Sequence, residues 1–288
     1  MERGLNRPGH SFSFESNETE SSMRILAPAL AAVLLSSPAL AQQRPTERPG
    51  ARAELNAGVE YQTGDYGTGE KIETRSVTST ARVAAGRVIV TASLPYLRVD
   101  APGNVVAGSG GLLGLPIVVD PTQPATRVRR EGLGDLRVGA AVMLPTGPAV
   151  DLAVYGQVKL PTASRRARLG TGEVDYAMGA ELSKTVAGVT PFASLTYTVP
   201  GKPADYALRN SLSGQAGLGA RLGRTVSGQL SYGYAQSLSP TIADEQLLSA
   251  RLAAGVSRRL SLSVYGNAGV SRSAPDVGAG VQLGLRLF

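Results

Sequence analysis

Asp276-Val-Gly-Ala-Gly-Val-Gln-Leu-Gly-Leu-Arg-Leu-Phe288 closes the chain and decides how the rest is read. Val277, Ala279, Val281, Leu283, Leu285 and Leu287 alternate with Gly278, Gly280, Gln282, Gly284 and Arg286. A period of two sustained over this length is a strand with one apolar and one polar face. It runs to the last residue, where the end of a soluble domain usually frays. Phe288 shares the parity of Arg286, not that of Leu287. Either the last residue turns at the rim of the sheet, or this strand end is atypical.

The same alternation recurs upstream, giving about twelve segments from residue 53 onward. Leu55, Ala57, Val59 and Tyr61 oppose Glu54, Asn56, Glu60 and Gln62 over 53–65. Val77, Ala81 and Val83 oppose Thr78, Thr80 and Arg82 over 72–84. The third segment, 87–99, is apolar on both parities, so its facing stays open. The remaining segments fall near 134–144, 150–160, 173–184, 188–199, 210–222, 225–236, 246–258 and 259–271, with the tail as the twelfth. Their apolar faces carry Leu, Val, Ala and Tyr, and their other faces Ser, Thr, Gln, Gly and charges.

Repeated alternating segments of about ten residues are the pattern of a transmembrane barrel. After residue 41 no stretch approaches the roughly 18 unbroken apolar residues of a membrane helix. A membrane-spanning chain of this kind must therefore close into a barrel, because an open sheet leaves backbone groups unpaired in lipid. The sequence predicts an all-β, antiparallel, up-and-down barrel of about 12 strands with both termini periplasmic. Connections 66–71, 100–133, 161–172, 200–209, 237–245 and 272–275 would then be extracellular and mostly long. Those near Gly86, Pro145–Ala149, Thr185–Gly188, Gly223–Arg224 and Arg258–Arg259 would be periplasmic and short. Such asymmetry, with an even strand number, fits outer-membrane barrels. A soluble sandwich or solenoid shows similar alternation, but does not account for the loop asymmetry or the signs of export.

Gly makes up 35 of the 288 residues, about 12 % against a usual level near 7 %. There is no Cys and no Trp, and the sole His is His10. Met23-Arg24, the apolar run Ile25 to Leu35, and Ala39-Leu40-Ala41 have the layout of a secretory signal peptide. The expected division is an upstream extension at 1–22, a signal peptide at 23–41, a flexible lead at 42–52 and a barrel at 53–288. Gln42 would begin the mature chain. Export without cysteine removes disulfides as a source of stability. Net charge is +7, with two arginine clusters, Arg127/Arg129/Arg130 and Arg165/Arg166/Arg168. In an exported chain these point to acidic lipid headgroups or anionic solutes rather than nucleic acid.

Three short stretches carry a family resemblance: Gly132-Leu-Gly-Asp-Leu136, Lys159-Leu-Pro-Thr162, and Leu169-Gly-Thr-Gly172 with Asp175. In this order and spacing the chain, from about Leu94 to Phe288, resembles the outer-membrane family named for the meta-pathway of phenol degradation. The Leu-Pro-Thr element is usually followed by Gly in that family. Here Ala163 follows it, and the Gly form stands instead at Leu144-Pro-Thr-Gly147. The resemblance implies a barrel that passes small, often apolar or aromatic solutes, and implies no catalytic residue. The apolar-out tail with its terminal Phe also resembles the closing strand that barrel-assembly machinery recognises.

The expected function is passive diffusion of small solutes through a polar lumen in the bacterial outer membrane. Lumen-lining and selectivity positions are expected at Arg82, Arg137, Gln157, Lys159, Asp175, Glu181, Gln215, Arg221, Gln229, Arg251, Asn267 and Arg286, where polar groups bind water and charges bias selectivity. Twelve strands lie between filled eight-stranded barrels and open porins, so the sequence leaves open a plugged, structural or surface-interaction barrel. The Gly-rich connection 100–133, with Leu112, Leu113, Leu115, Ile117, Val118 and Val119, would be an inward constriction or an outer lid. A barrel-embedded hydrolase is disfavoured, because the mature chain has no His to serve as base near neutral pH. Neither a cofactor nor a metal is expected, with Cys and His ligands missing and no calcium-loop spacing. Expected partners are outer-membrane lipid, the assembly machinery and a small-molecule solute.

Overall fold

A computed structural model describes residues 51–106, 118–119, 125–147 and 150–288. The proposed extension, signal peptide and most of the lead, with 107–117 and 120–124 of the long connection, lie outside the described residues. Fifteen strands are present among the described residues, and thirteen of them form one antiparallel sheet.

The sheet closes on itself. β1 (Arg52–Gly64) pairs with both β2 (Ile72–Ala85) and the last strand, β15 (Val277–Arg286). β3 (Val88–Pro102) follows β2, and β4 (Val105–Val106) with β5 (Val118–Val119) forms a separate small hairpin. β6 (Arg127–Leu133) and β7 (Leu136–Leu144) are successive parts of one barrel strand, pairing with the upper and lower halves of β3. The order continues through β8 (Asp151–Leu160), β9 (Asp175–Ser183), β10 (Val189–Val199), β11 (Ser211–Arg221), β12 (Val226–Ala235), β13 (Glu245–Gly255) and β14 (Leu260–Gly269) to β15. With β6 and β7 joined, the barrel has the expected twelve strands, every one hydrogen-bonded to sequence neighbours.

The step from β6 to β7 corrects the sequence reading, which treated 100–133 as a loop. Ser93 faces Arg137, but Tyr96 faces Leu133. Leu94 and Pro95 are thus opposed by Gly134, Asp135 and Leu136, one residue too many, so the strand carries a bulge. A bulge shifts register and re-aims the side chains beyond it. Inward positions are odd-numbered on β7 but even-numbered on β6. A second bulge answers the question of Phe288. Leu287 donates its N–H to the Ala53 carbonyl while Ala53 donates to the Phe288 carbonyl, so both end residues oppose one. Phe288 is thereby turned out and is 67 % exposed.

Burial alternates along the strands, and it is the polar set that is buried. Leu195, Leu218, Leu230, Leu248, Leu283 and many similar side chains are exposed, while Glu60, Gln62, Thr78, Lys159, Asp175 and Asn267 are buried. This is the inverse of a soluble domain, and it is the pattern of a barrel whose outer wall meets hydrocarbon. On β3, left open by the sequence, Ile89, Leu97 and Val99 turn inward and Val88, Val90 and Tyr96 outward. Long connections gather at one end, and the start of β1 and the end of β15 lie with the short turns at the other.

Candidate functional site in the barrel interior

At the long-loop end, the bulge brings Asp135 inward beside Lys159 of β8 and Asp175 of β9. Lys159 Nζ lies 2.7 Å from Asp175 Oδ2 and 3.4 Å from Asp135 Oδ2, and donates to Thr171 Oγ1 at 3.0 Å. All three charged side chains are almost wholly removed from solvent. Arg137 is buried beside both carboxylates. The segment 161–172 is stitched to the bulge. Thr162 Oγ1 accepts the Leu136 N–H and donates to the Gly134 carbonyl, and Ala163 donates its N–H to Asp135 Oδ1 at 3.0 Å. Asp135 packs so closely on Gly170 that a Cβ there would lie 2.9 Å from its Cγ. The three stretches that carry the family resemblance thus converge on one latch, which fastens segment 161–172 over the unpaired edge of β6.

Further round the wall, Tyr265 donates its hydroxyl to Glu60 Oε2 at 3.0 Å, and Gln62 donates to the other oxygen of the same carboxylate. The Tyr265 ring lies across Gly280, where any Cβ would sit 2.5 Å from the phenol carbon. Arg251 stacks on the same ring at 5.8 Å from its centre and donates to Gln282. At the opposite end Glu54 meets Arg82 and Arg286, each at 3.7 Å. Positive and negative charges are thus paired along much of the wall, as a narrow interior requires.

A cluster of buried apolar side chains lies at the long-loop end. Ile72, Leu97, Val99, Val105 and Leu169 are essentially inaccessible and pack with Tyr66, Ala101, Ala163 and Ile242. Burial pushes the Tyr66 phenol above its ordinary pKa, with Glu245 and Glu60 adding to the shift. Leu169 comes from the latched segment, so cluster and latch share one stretch of chain.

All twelve sequence-derived positions fall on the inward parity. Arg137, Lys159, Asp175, Glu181, Gln229 and Asn267 are buried. Arg82, Gln157, Gln215 and Arg251 are half-buried, and Arg221 and Arg286 lie exposed near the short-turn end. The structure brings Arg137, Lys159 and Asp175 together and leaves the others distributed round the wall. Asp135, Thr171 and Leu169 stood inside recognisable motifs, but nothing in the strand parity marked them as inward. The apolar cluster escaped a reading that sought only polar lumen residues. Among the described residues no three acidic or histidine side chains are placed to hold a metal.

Comparison by sequence with curated proteins finds no match. In fold the chain is similar to an outer-membrane channel from Pseudomonas putida F1, at a TM-score of 0.63 and 13 % identity over 84 % of this chain and 97 % of that one. It is also similar to the Ralstonia pickettii toluene transporter TbuX, at a TM-score of 0.43 and 10 % identity over 91 % and 96 % of the two chains. The closed twelve-stranded wall, its apolar outer face and the first of these likenesses make it an outer-membrane β-barrel. Its residues 62–287 match the family model described as "Putative MetA-pathway of phenol degradation", and the chain belongs to that family.

Proposed function

We propose that the protein is a passive channel for small solutes, apolar and aromatic ones among them, with its long-loop end outside the cell and both termini in the periplasm. One observation carries this reading: a charged, hydrogen-bonding inner wall ends at an apolar cluster, which forms the constriction on this reading. Charged wall residues bias ion selectivity, whereas a hydrophobic constriction gates by dewetting. Water and ions meet a barrier at the cluster of Ile72, Leu97, Val99 and Leu169 that an apolar solute does not. The twelve inward positions from Arg82 to Arg286 line the passage below it. The family's link to phenol degradation agrees with such a cargo.

The same reading assigns no catalytic role to any residue. It takes β15 as the strand met by the assembly machinery, in keeping with its pairing to β1 at the closing seam. It also takes residues 23–41 as a signal peptide, with 1–22 upstream of the natural start. The test is conductance and solute flux. Purified wild-type protein in planar bilayers is expected to show small, steady channels, and Leu169→Ala larger ones. Liposomes that contain it are expected to admit phenol faster than empty ones. Silence in both assays, with wild type and variant alike, would refute the channel and leave a plugged structural barrel.

A further inference from the structure

At the long-loop end arginines meet carboxylates: Arg98 with Glu131, Arg127 and Arg129 with Asp100, Arg165 with Glu173, and Arg209 with Asp244. The short-turn end is different. Four of its five connections carry exposed cations: Arg87, Lys184, Arg224, and the pair Arg258–Arg259. None of these is ion-paired among the described residues. Of the acidic side chains at this end, Glu54 is taken by Arg82 and Arg286, and Asp151 stands on β8, far round the wall from Arg258.

Beside the Arg258–Arg259 turn the outer wall is hollow. A trough of about 570 Å³ begins at Leu260 and crosses β15, β1, β2 and β3 to Leu136 on β7. That is the volume of a small-molecule pocket, on a face that meets hydrocarbon. Small side chains, Ala57, Ser79, Ala81 and Ala92, make its floor. Register sets Leu283 and Leu285 along one side and Leu94 on the other. The trough also climbs. Leu260 opens β14 at the rim, Leu55 stands three residues into β1, Ala92 four residues into β3, and Leu136 eight residues above Leu144, the lower end of β7. Eight residues of a strand tilted by about 45° rise roughly 19 Å. That is about half of a bilayer some 40–45 Å thick with its headgroups, so the trough spans one leaflet from a basic rim upward.

We propose that the trough and the Arg258–Arg259 turn bind one anionic phospholipid, with an acyl chain along the small-residue floor and the phosphate at the two guanidinium groups. A flat stretch of wall touches a chain on one side only, whereas the trough adds contacts from its leucine flanks. Arginine grips phosphate with paired donors. A zwitterionic lipid fills the trough equally well, but its ammonium cancels the charge that the turn attracts. The site lies on the outer wall, so it stands whether or not the interior conducts.

The test is native mass spectrometry of the folded full-length barrel, released from detergent that holds equimolar dioleoyl phosphatidylglycerol and dioleoyl phosphatidylcholine. The two lipids share their chains and differ in headgroup charge. One phosphatidylglycerol is expected to be retained, at least about tenfold over phosphatidylcholine, within what two basic residues supply at a membrane surface. Arg258→Gln/Arg259→Gln is expected to erase that preference, and Arg224→Gln, in a short turn away from the trough, to keep it. Ala81→Leu fills the floor and is expected to lower retention of both lipids several-fold, whereas Ala216→Leu, elsewhere on the outer wall, leaves it unchanged. All these side chains are exposed, so the barrel is expected to fold in each variant. Equal retention of the two lipids by wild type, or a preference that survives loss of both arginines, overturns the proposal. Undiminished retention in Ala81→Leu also overturns it, and leaves only a ring of counter-ions at the rim. A second copy of the barrel in place of lipid, lost in Ala81→Leu, overturns it in favour of a dimer face.

Discussion

Lys159→Met tests the latch most directly. Methionine is similarly long and unbranched, so the substitution removes charge and donors with little change in packing. Lys159 supplies two ion pairs and a hydrogen bond to Thr171 in a place that water does not reach. Removing one partner of a buried pair costs about 3–5 kcal/mol, because the remaining charge is left uncompensated. Two features soften the loss here. Arg137 lies close to both carboxylates, and each still accepts a backbone N–H, Asp135 from Ala163 and Asp175 from Gly201. The low end of the range, about 3 kcal/mol, is therefore expected.

That energy falls on segment 161–172, which is held down by contacts converging on Asp135. At 1.4 kcal/mol per tenfold, the open population should rise about a hundredfold. Trypsin reads it after Arg168, whose next residues, Leu169 and Gly170, are buried while the latch is closed. Where opening is fast relative to cleavage, the rate tracks the open population. In Lys159→Met/Asp175→Asn one of the stranded charges is gone, so part of the loss should return, and the cycle isolates the coupling. A cleavage rate within about threefold of wild type in the single variant, with the barrel folded, would refute the account.

Three further outcomes follow from other parts of the wall. Asp244, in the connection after β12, is held below its ordinary value of 3.8 first by the Tyr234 hydroxyl, 2.6 Å away, and then by the Ser237 N–H and Arg209. A depressed carboxylate contributes stability in full above its unfolded value and loses it as pH falls through the folded one. Hydrogen-exchange protection in 236–244, measured against the intrinsic rate at each pH, should therefore fall on acidification below about pH 4, and Asp244→Asn should abolish that dependence. Gly280→Ala is expected to cost about 1–3 kcal/mol in urea unfolding from lipid vesicles, because its Cβ meets the Tyr265 ring. Gly156→Ala, with its nearest neighbour 3.9 Å away, should be close to neutral. Tyr265→Phe takes one donor from the buried Glu60 carboxylate, and the same unfolding assay should register a loss of about 1–3 kcal/mol.

The barrel was legible because lipid demands strict alternation, and alternation is visible in one sequence. Leu55 to Tyr61, Leu212 to Leu218 and Val277 to Leu287 each write the outer wall without ambiguity. Parity also selected Lys159, Asp175 and Arg137 as inward. It failed where an extra residue enters a strand. At Gly134–Asp135 the bulge reverses the inward parity, so a count carried across it puts Arg130 and Gly132 on the wrong face, and β6 went unread. Phe288 raised the same difficulty on a smaller scale. The apolar cluster was hidden for another reason. Ile72, Leu97, Val99 and Leu169 come from three separate elements, and only closure of the barrel makes them neighbours.

Latch and mouth are best understood as one device, because a single stretch of chain serves both. Thr162, Ala163, Gly170 and Thr171 hold the charged cluster, and Ala163 and Leu169 fill the apolar one. The segment cannot leave the bulge without drawing Leu169 out of the apolar cluster. The buried charges therefore do more than offset their own desolvation, a task that well-packed apolar side chains perform as well or better. They fix the register in which the apolar cluster packs. Conductance and trypsin cleavage should then rise together in Lys159→Met, whereas Leu169→Ala should widen the passage and leave the latch fastened. A variant that frees the segment with no change in conductance would separate the two and dismantle this link.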